Sequence, residues 1–319
     1  MGGTRQGGDM KRTVQWERMF PDELEQAFAE RPVVYYTYGL CEPHGPHCAV
    51  GLDGLKAHEI AVEAAKEHGG IVAPADFWHC HEMGGYALWS ERRVGDIPRT
   101  WLTSEPPWMH FKRICYQIRA AEAIGFHAAI LLTGHYGPNW RDLKTLIDLV
   151  QPYVRMRLYG LPDFEANVPG FGPDGPGGDH AGKVETSLLW HLDPDCVDLS
   201  RLPADDAPDA RATPTDPYRS PPWFAMGPNA AESDRRIGAR MVADEVAWLG
   251  RKADELLSAY DPEREVHGLL TFDDVERFWE SDVRPILKEF ATMQSSWTDD
   301  PPLTPQSRWF ANWGVPDLP

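Results

Sequence analysis

Residues 41–53, CEPHGPHCAVGLD, concentrate side chains that could bind a metal ion. Glu42, His44, His47 and Asp53 lie within twelve residues, and the prolines and glycine between the first three exclude a regular helix there. Carboxylate oxygens and imidazole nitrogens together suit zinc, manganese or iron. The stretch is either an ordinary polar loop or a loop that carries metal ligands at the end of a strand.

Two further polar clusters follow apolar, strand-like runs. HAAILLTGH, residues 127–135, is the clearest buried strand and ends at His135, and WHCHEMGG, residues 78–85, follows a second run. Taken singly, His135 could equally be a core histidine, and Asp53 could be the N-cap of the helix that follows it. Their common position after strands is what favours a shared site.

The elements that position these clusters alternate along the chain. Strand-forming residues predict strands at 33–39, 71–77, 127–135 and 155–161. Apolar residues at helical spacing predict helices at 22–32, 55–70, 108–126, 140–154, 183–192 and 238–260. This alternation is typical of a mostly parallel sheet covered on both faces, a three-layer α/β/α fold. Ligands of such folds bind beyond the carboxyl ends of the strands, where all three polar clusters fall.

Composition limits the classes of function that fit. The chain has 319 residues, 42% hydrophobic and 25% charged, as expected of a globular protein with a sizeable core. Its formal net charge of −18 argues against nucleic acid or an anionic membrane as a partner. We find neither an apolar run long enough to span a bilayer nor a signal-peptide core, and expect a cytoplasmic protein. The five cysteines form no CxxC pair and are expected to be free thiols.

The expected organisation is one α/β domain with less regular ends. Residues 1–20 are predicted to be a loose N-terminus, and 21–262 to form the domain. Residues 263–319 are predicted to be a helical extension whose tryptophan-rich tail packs on the body or on a neighbouring subunit. The glycine- and proline-rich stretch 162–180 predicts a long loop, often an active-site cover, and 202–235 is a second irregular stretch.

Three motifs, in order along the chain, resemble those of the creatininase (creatinine amidohydrolase) family. EPHGPHCAVGLD is similar to the family's Glu-x-His-Gly-x-His signature, in which an Asp follows eleven residues after the Glu. LLTGHYGPNW is similar to its strand ending in Asn-Gly-His-Gly-Gly-Asn, with Thr133 in place of the first Asn. GDHAGKVETSLLWHLDP is similar to its Asp-x-His-Ala-Gly-x-x-Glu-Thr-Ser segment. The resemblance covers roughly residues 30–200 and implies a single creatininase-like α/β/α hydrolase domain.

The resemblance also implies a site for two divalent metal ions, which would be zinc, manganese or iron. Glu42 and His135 would bind one ion and His44 the other, with Asp53 bridging the two. His47 is expected to have a structural role beside them. A hydroxide that bridges the ions would add to an amide carbonyl.

The chain departs from the family at two positions near this site. Gly137 stands where creatininase proper has a glutamate ligand; other branches share this glycine, and Glu185 is then the better candidate for the fifth ligand. Glu185 could instead cap or pair within its own helix. Pro176 stands where creatininase proper has a tryptophan that closes over the substrate. The two departures argue against creatinine itself as the substrate.

The resemblance assigns the catalytic residue, whereas the substrate-binding candidates come from the polar segments themselves, where an ordinary solvated surface is the competing account for His81. His180 matches the histidine that passes a proton to the leaving nitrogen. Trp78, His81, Tyr136 and Asp179 are the candidates to line the substrate pocket.

Three functions are compatible with these residues. The first is hydrolysis of a C–N amide bond in a small cyclic or linear amide, with no nucleic-acid or membrane partner. The second is trimming of a peptide end, which some branches of the family perform. The third is a binding protein that keeps the fold without the chemistry. The family also implies frequent assembly into homohexamers, so a homo-oligomer is expected.

Overall fold

The computed structural model of the chain describes residues 13–80, 101–135, 139–170, 180–202, 229–290 and 292. Within these ranges lie six strands: β1 (Val33–Tyr38), β2 (Ile71–Val72), β3 (His79–Cys80), β4 (Ser104–Glu105), β5 (Ala128–Thr133) and β6 (Arg157–Pro162). The same ranges hold seven α-helices: α1 (Pro21–Glu30), α2 (Leu52–His68), α3 (Pro107–Ile124), α4 (Asn139–Val150), α5 (Lys183–Leu192), α6 (Arg235–Ser258) and α7 (Phe272–Phe278).

The main sheet has four parallel strands in the order β2–β1–β5–β6. β1 and β5 pair along their whole length, from Val33 opposite Ala128 to Tyr38 opposite Thr133. β6 continues this register, with Pro162 opposite Thr133. The carboxyl ends of the three long strands are therefore level, and the loops that follow them leave the sheet at one edge. β3 and β4 form a separate parallel pair.

Side chains of the main sheet alternate between two apolar layers on its opposite faces. On β1, Val34 and Tyr36 face a cluster that includes α3, α4 and C-terminal residues between 269 and 290. Val33 and Tyr35 face a cluster that includes α2 and α6. Because both faces are covered, the residues of β1 and β5 are all buried and mostly apolar. The predicted three-layer α/β/α fold is confirmed.

Two elements differ in length from their predictions. β2 holds only Ile71 and Val72. The N–H of Ala73 still donates to the carbonyl oxygen of Tyr35, but the next N–H bonded to β1 is that of Asp76, three residues on rather than two, so regular pairing is interrupted. Pairing resumes as a single bridge between Asp76 and Tyr38. α2 begins at Leu52 rather than at residue 55, and its N-cap is Gly51. The N-cap role considered for Asp53 is therefore wrong, since Asp53 lies inside the first turn.

The described C-terminal residues pack on the body. α7 is followed by a π turn over Trp279–Val283 and a 3-10 helix over Arg284–Glu289. Val275 and Phe278 are buried in the same cluster as α3. The segments outside the described residues include residues 171–179 of the predicted active-site loop, residues 203–228 of the second irregular stretch, and the tryptophan-rich tail.

Two sequence expectations can be compared with the described residues directly. All five cysteines are described, and all are free. No described helix combines the length and the apolarity that a membrane crossing requires.

Candidate metal centre

Five side chains singled out in the sequence converge at the carboxyl edge of the main sheet. Glu42 and His44 lie on the loop after β1, Asp53 lies in the first turn of α2, and His135 lies two residues beyond β5. Glu185 reaches the same place from the first turn of α5. All five are buried, none being more than 4% exposed. Side chains from four separate parts of the chain thus meet in one buried volume.

Two glycines allow the strand ends to approach α2 this closely. A Cβ atom on Gly134 would lie 2.1 Å from the carbonyl oxygen of Asp53, and one on Gly39 would lie 2.3 Å from the backbone nitrogen of Gly54. A side chain fits at neither position without a shift of the backbone. The first turn of α2 therefore lies directly against the ends of β1 and β5, which places Asp53 between their loops.

Asp53 stands between two groups of potential ligand atoms. Its Oδ2 accepts a hydrogen bond from His135 Nδ1 at 3.1 Å, and Glu42 Oε1 lies 3.4 Å from the same nitrogen. Its Oδ1 lies 3.3 Å from His44 Nε2, and Glu185 Oε2 lies 3.8 Å from that nitrogen. Within each group of three residues the ligand atoms lie within 4.8 Å of one another. One oxygen of Asp53 faces each group, as a bridging carboxylate requires.

His44 provides a test of whether metal ions fit this site. Its Nδ1–H donates to the carbonyl oxygen of Glu42 at 3.0 Å, which leaves Nε2 facing the carboxylates of Asp53 and Glu185. Nε2 is buried and has no hydrogen bond of good geometry to any part of the chain that the structure describes. A cation among these groups, or an added proton on Nε2, would satisfy them. Two imidazoles with three carboxylates fit zinc, manganese or iron.

Without metal, the carboxylates hold that proton on His44. Burial lowers the pKa of His44, but Asp53, Glu42 and Glu185 together outweigh burial and raise the pKa from 6.5 to about 9. Burial raises the pKa of Asp53, but His44 and the hydrogen bond from His135 hold it well below its usual range. The metal-free centre at neutral pH therefore contains an ionised Asp53 beside an imidazolium.

Metal binding is expected to release about one proton per chain from His44 in the pH range between 6.5 and 9. Metal affinity should rise roughly tenfold per pH unit in this range and level off above it, because His44 must lose its proton before Nε2 can bind a cation. Calorimetric titration with Zn²⁺ in two buffers of different ionisation enthalpy measures the number released. His44→Gln, which does not titrate, should release about one proton per chain fewer than the unmodified chain. An equal release from the two chains at pH 8 would show that His44 is already neutral.

His180 faces the centre from the side of Glu42 and His44. Its Nε2–H donates to the carbonyl oxygen of Pro43 at 2.9 Å, and its Nδ1 lies 3.6 Å from Glu42 Oε1. The ring lies against that of His44, with centroids 4.4 Å apart, and the side chain remains 16% exposed. Burial and the neighbouring His44 lower the pKa of His180. At neutral pH the ring is therefore neutral, and Nδ1 is the nitrogen that faces Glu42.

His47 supports the backbone next to His180. Its Nε2 lies 3.0 Å from Thr186 Oγ1, and that hydroxyl donates to the carbonyl oxygen of Ala181 at 3.3 Å. Ala181 has a φ of 49°, in the left-handed region that alanine rarely adopts. Burial and His44 lower the pKa of His47 to about 4, so His47 is neutral and can donate to Thr186. These contacts agree with a structural role for His47.

The structure describes one of the four residues predicted to line the substrate pocket. Trp78 directly precedes β3, is 54% exposed, and accepts a hydrogen bond from Arg113 at its carbonyl oxygen. His81, Tyr136 and Asp179 lie outside the described residues, and so do the two departures from the family at positions 137 and 176.

Two charged residues next to the centre were missed by the sequence analysis. Lys56 on α2 is fully buried, with Nζ 3.1 Å from Glu185 Oε1 and 3.3 Å from Asp163 Oδ2. Asp163 directly follows β6, so a signal for it existed, since the other candidates also follow strands. Lys56 offered no such signal, because a lysine at helical spacing usually reaches solvent.

A second buried group of possible ligands, His79, Cys80 and His110, lies beside the centre. The rings of His79 and His110 have centroids 3.9 Å apart and are tilted by 35°, and the ring of His79 lies 5.4 Å from that of His135. His79 Nδ1–H already donates to the carbonyl oxygen of Cys80 at 2.8 Å, and the guanidinium of Arg113 lies 3.5 Å from His110 Nδ1. His79 Nε2 lies 3.3 Å from Thr133 Oγ1, so both ring nitrogens of His79 have partners within the protein, and we assign this group to the wall of the centre.

Comparison with known proteins leads to the creatininases. The family model for creatininase (creatinine amidohydrolase) matches residues 17–252, which is most of the chain. The creatinine amidohydrolase of Pseudomonas putida is 28% identical over 209 residues, which cover 59% of this chain and 76% of that protein.

Solved creatininases share the fold. A crystal structure of creatinine amidohydrolase (creatininase) is 23% identical with a TM-score of 0.57, over 78% of this chain and 99% of that chain. A variant creatininase described as the Zn–Zn type has the same identity, TM-score and coverage. A structure described as creatininase Mn is 23% identical with a TM-score of 0.56, over 78% of this chain and all of that one. These likenesses establish the fold, and the family model, which spans most of the sequence, establishes that the chain belongs to the creatininase family.

Proposed function

We propose that this chain is a metal-dependent amidohydrolase that cleaves the C–N bond of a small cyclic or linear amide. Membership of the creatininase family supports the class of reaction, and the zinc and manganese forms among its structural relatives support divalent metals. The observation that carries the proposal is the position of Asp53, with one oxygen facing His135 and the other facing His44. Two divalent cations at such a centre supply a nucleophilic hydroxide at neutral pH and polarise the amide carbonyl.

The chain offers a separate set of ligands for each cation. Glu42, Asp53 and His135 would hold one, and His44, Asp53 and Glu185 would hold the other. A divalent cation bound close to the carbonyl oxygen under attack would favour the negative charge that develops on that oxygen.

His180 would move the proton that the reaction requires. The hydrogen bond from Nε2 to the carbonyl oxygen of Pro43 fixes the ring, so that Nδ1 is the nitrogen that faces the centre. A neutral Nδ1 can accept a proton from the attacking water and deliver it to the leaving nitrogen, which would otherwise depart as an unstable amide anion. Because the side chain is partly exposed, it can exchange protons with solvent between turnovers.

A substrate panel with metal analysis tests the proposal. The purified protein, loaded with zinc or manganese, is assayed against lactams, hydantoins, formamides and short peptides. We expect about two ions per chain, hydrolysis of at least one small amide, loss of activity on chelation, and recovery when metal is returned. Hydrolysis of peptides alone would favour trimming of peptide ends instead. Two bound ions with no hydrolysis of any compound would favour a binding protein. The same preparation tests by its mass in solution the homo-oligomer that we propose from the family resemblance.

A further inference from the structure

A buried cation lies directly behind the candidate metal centre. Lys56 is fully buried, and its Nζ donates to the carbonyl oxygen of Gly134 at 2.7 Å and to Glu185 Oε1 at 3.1 Å. Asp163 Oδ2 lies 3.3 Å from the same nitrogen. Burial alone would lower the pKa of Lys56, but Asp163, Glu185 and Asp53 raise it above its usual value, so the ammonium group stays charged.

Stability does not explain a lysine at this position. The next residues of α2 that face the core, Ala57 and Ile60, are apolar and fully buried. An apolar side chain of similar length at position 56 would avoid the cost of removing a charge from water, and buried ion pairs are often no more stabilising than such a side chain. Lys56 must therefore act through its effect on the positions of the groups that it contacts.

The contact with Lys56 gives the two oxygens of Glu185 different surroundings. Oε1 accepts the hydrogen bond from Lys56. Oε2 accepts one from the backbone N–H of Ala181 at 2.9 Å and lies 3.8 Å from His44 Nε2. Together the two hydrogen bonds fix the rotation of the carboxylate, so that one oxygen, and not both, is directed at the ring of His44.

We propose that Lys56 is a positioning residue that holds Glu185 as a one-oxygen ligand for the cation shared by His44 and Asp53. The inference rests on the proposed function for the presence of that cation. It explains how Glu185 can serve as a ligand in a chain that has Gly137 where creatininase proper has a glutamate. Without Lys56 the carboxylate can turn away, and the cation on the side of His44 loses a fixed ligand. The cation held by Glu42, Asp53 and His135 does not depend on this contact.

The test removes Lys56 together with the charge of Asp163, the carboxylate beside Lys56 that does not face His44. Asp163→Asn serves as the matched control, because it leaves the contact between Lys56 and Glu185 in place. Asp163→Asn with Lys56→Met should bind one zinc ion with the affinity of the control and the other about 10–100-fold more weakly. Competition titration of Zn²⁺ against a chromophoric chelator measures both affinities. Circular dichroism of the zinc-loaded chains should show an unchanged fold.

A double-mutant cycle separates positioning from an independent effect. Glu185→Gln should weaken the same zinc ion, and adding Lys56→Met to Glu185→Gln in the Asp163→Asn background should weaken it no further. Two unchanged affinities after loss of Lys56, or additive effects of the two substitutions, would overturn the proposal while leaving the proposed function intact. An unfolded Lys56 variant would assign Lys56 a role in stability and would also overturn it. Failure of the unmodified chain to bind zinc would refute the proposed function itself.

Discussion

Replacing Asp53 with asparagine is expected to remove both metal ions and to abolish hydrolysis. Asp53 Oδ2 lies with His135 and Asp53 Oδ1 with His44, so the substitution takes one negatively charged ligand from both groups at once. An amide offers one oxygen and no charge, and cannot bridge two cations. We expect metal content to fall from about two ions per chain to nearly none, and turnover to fall by at least about 10³-fold. Metal analysis and the substrate panel measure the two effects.

The matched control for this substitution is Glu63→Gln, on the same helix. Glu63 is exposed and pairs with Lys66 at 2.8 Å, so its loss should change neither metal content nor turnover. Retention of one ion per chain in Asp53→Asn, with the fold intact by circular dichroism, would show that Asp53 binds a single cation. The bridging assignment would then be wrong, although a metal-dependent reaction could survive.

Replacing His180 with alanine should lower turnover by about 10²–10⁴-fold and leave the metal content unchanged. The expected loss is that of a general acid–base, since Nδ1 of His180 faces the centre while the ring is fixed through Nε2. The pKa of His180 is lowered, so the unmodified chain should keep its activity somewhat below pH 6.5 and lose it as the ring becomes protonated. The variant should lack this acidic limb of the pH–rate profile.

His191→Ala on α5 is the control for His180, and it should leave both turnover and metal content unchanged. A normal rate for His180→Ala would remove its assigned role. Loss of one ion per chain would instead make His180 a ligand, an assignment that its proximity to Glu42 and His44 permits.

The fold and the convergence of the candidate ligands could be predicted because they depend on short-range patterns. β1 and β5 are continuous runs of β-branched, aromatic and aliphatic residues, and the predicted bounds differ from the observed ones by one residue for β1 and by one and two for β5. Parallel strands end at a common edge, so residues that follow them must come together. That rule predicts that His135 lies close to Glu42, although the sequence contains no distances.

The surroundings of Glu185 could not be predicted for a physical reason. Lys56 contacts Asp163 and Glu185, which are 107 and 129 residues away in sequence, and no local pattern reveals which lysine of a helix is buried. The start of α2 was misplaced for a similar reason. Gly51 and Gly54 look like helix breakers, but packing of the first turn against the strand ends and Phe77 overrides that weak preference.

The close approach at Gly39 and Gly134 also matters for engineering new substrate selectivity into this chain. Any larger residue at either glycine would push α2 away from the sheet before its side chain reached a substrate. These two positions are therefore unsuitable for randomisation in a mutant library. Useful diversity has to be introduced in the loops around the candidate metal centre, where a changed side chain can contact a substrate without moving a candidate ligand.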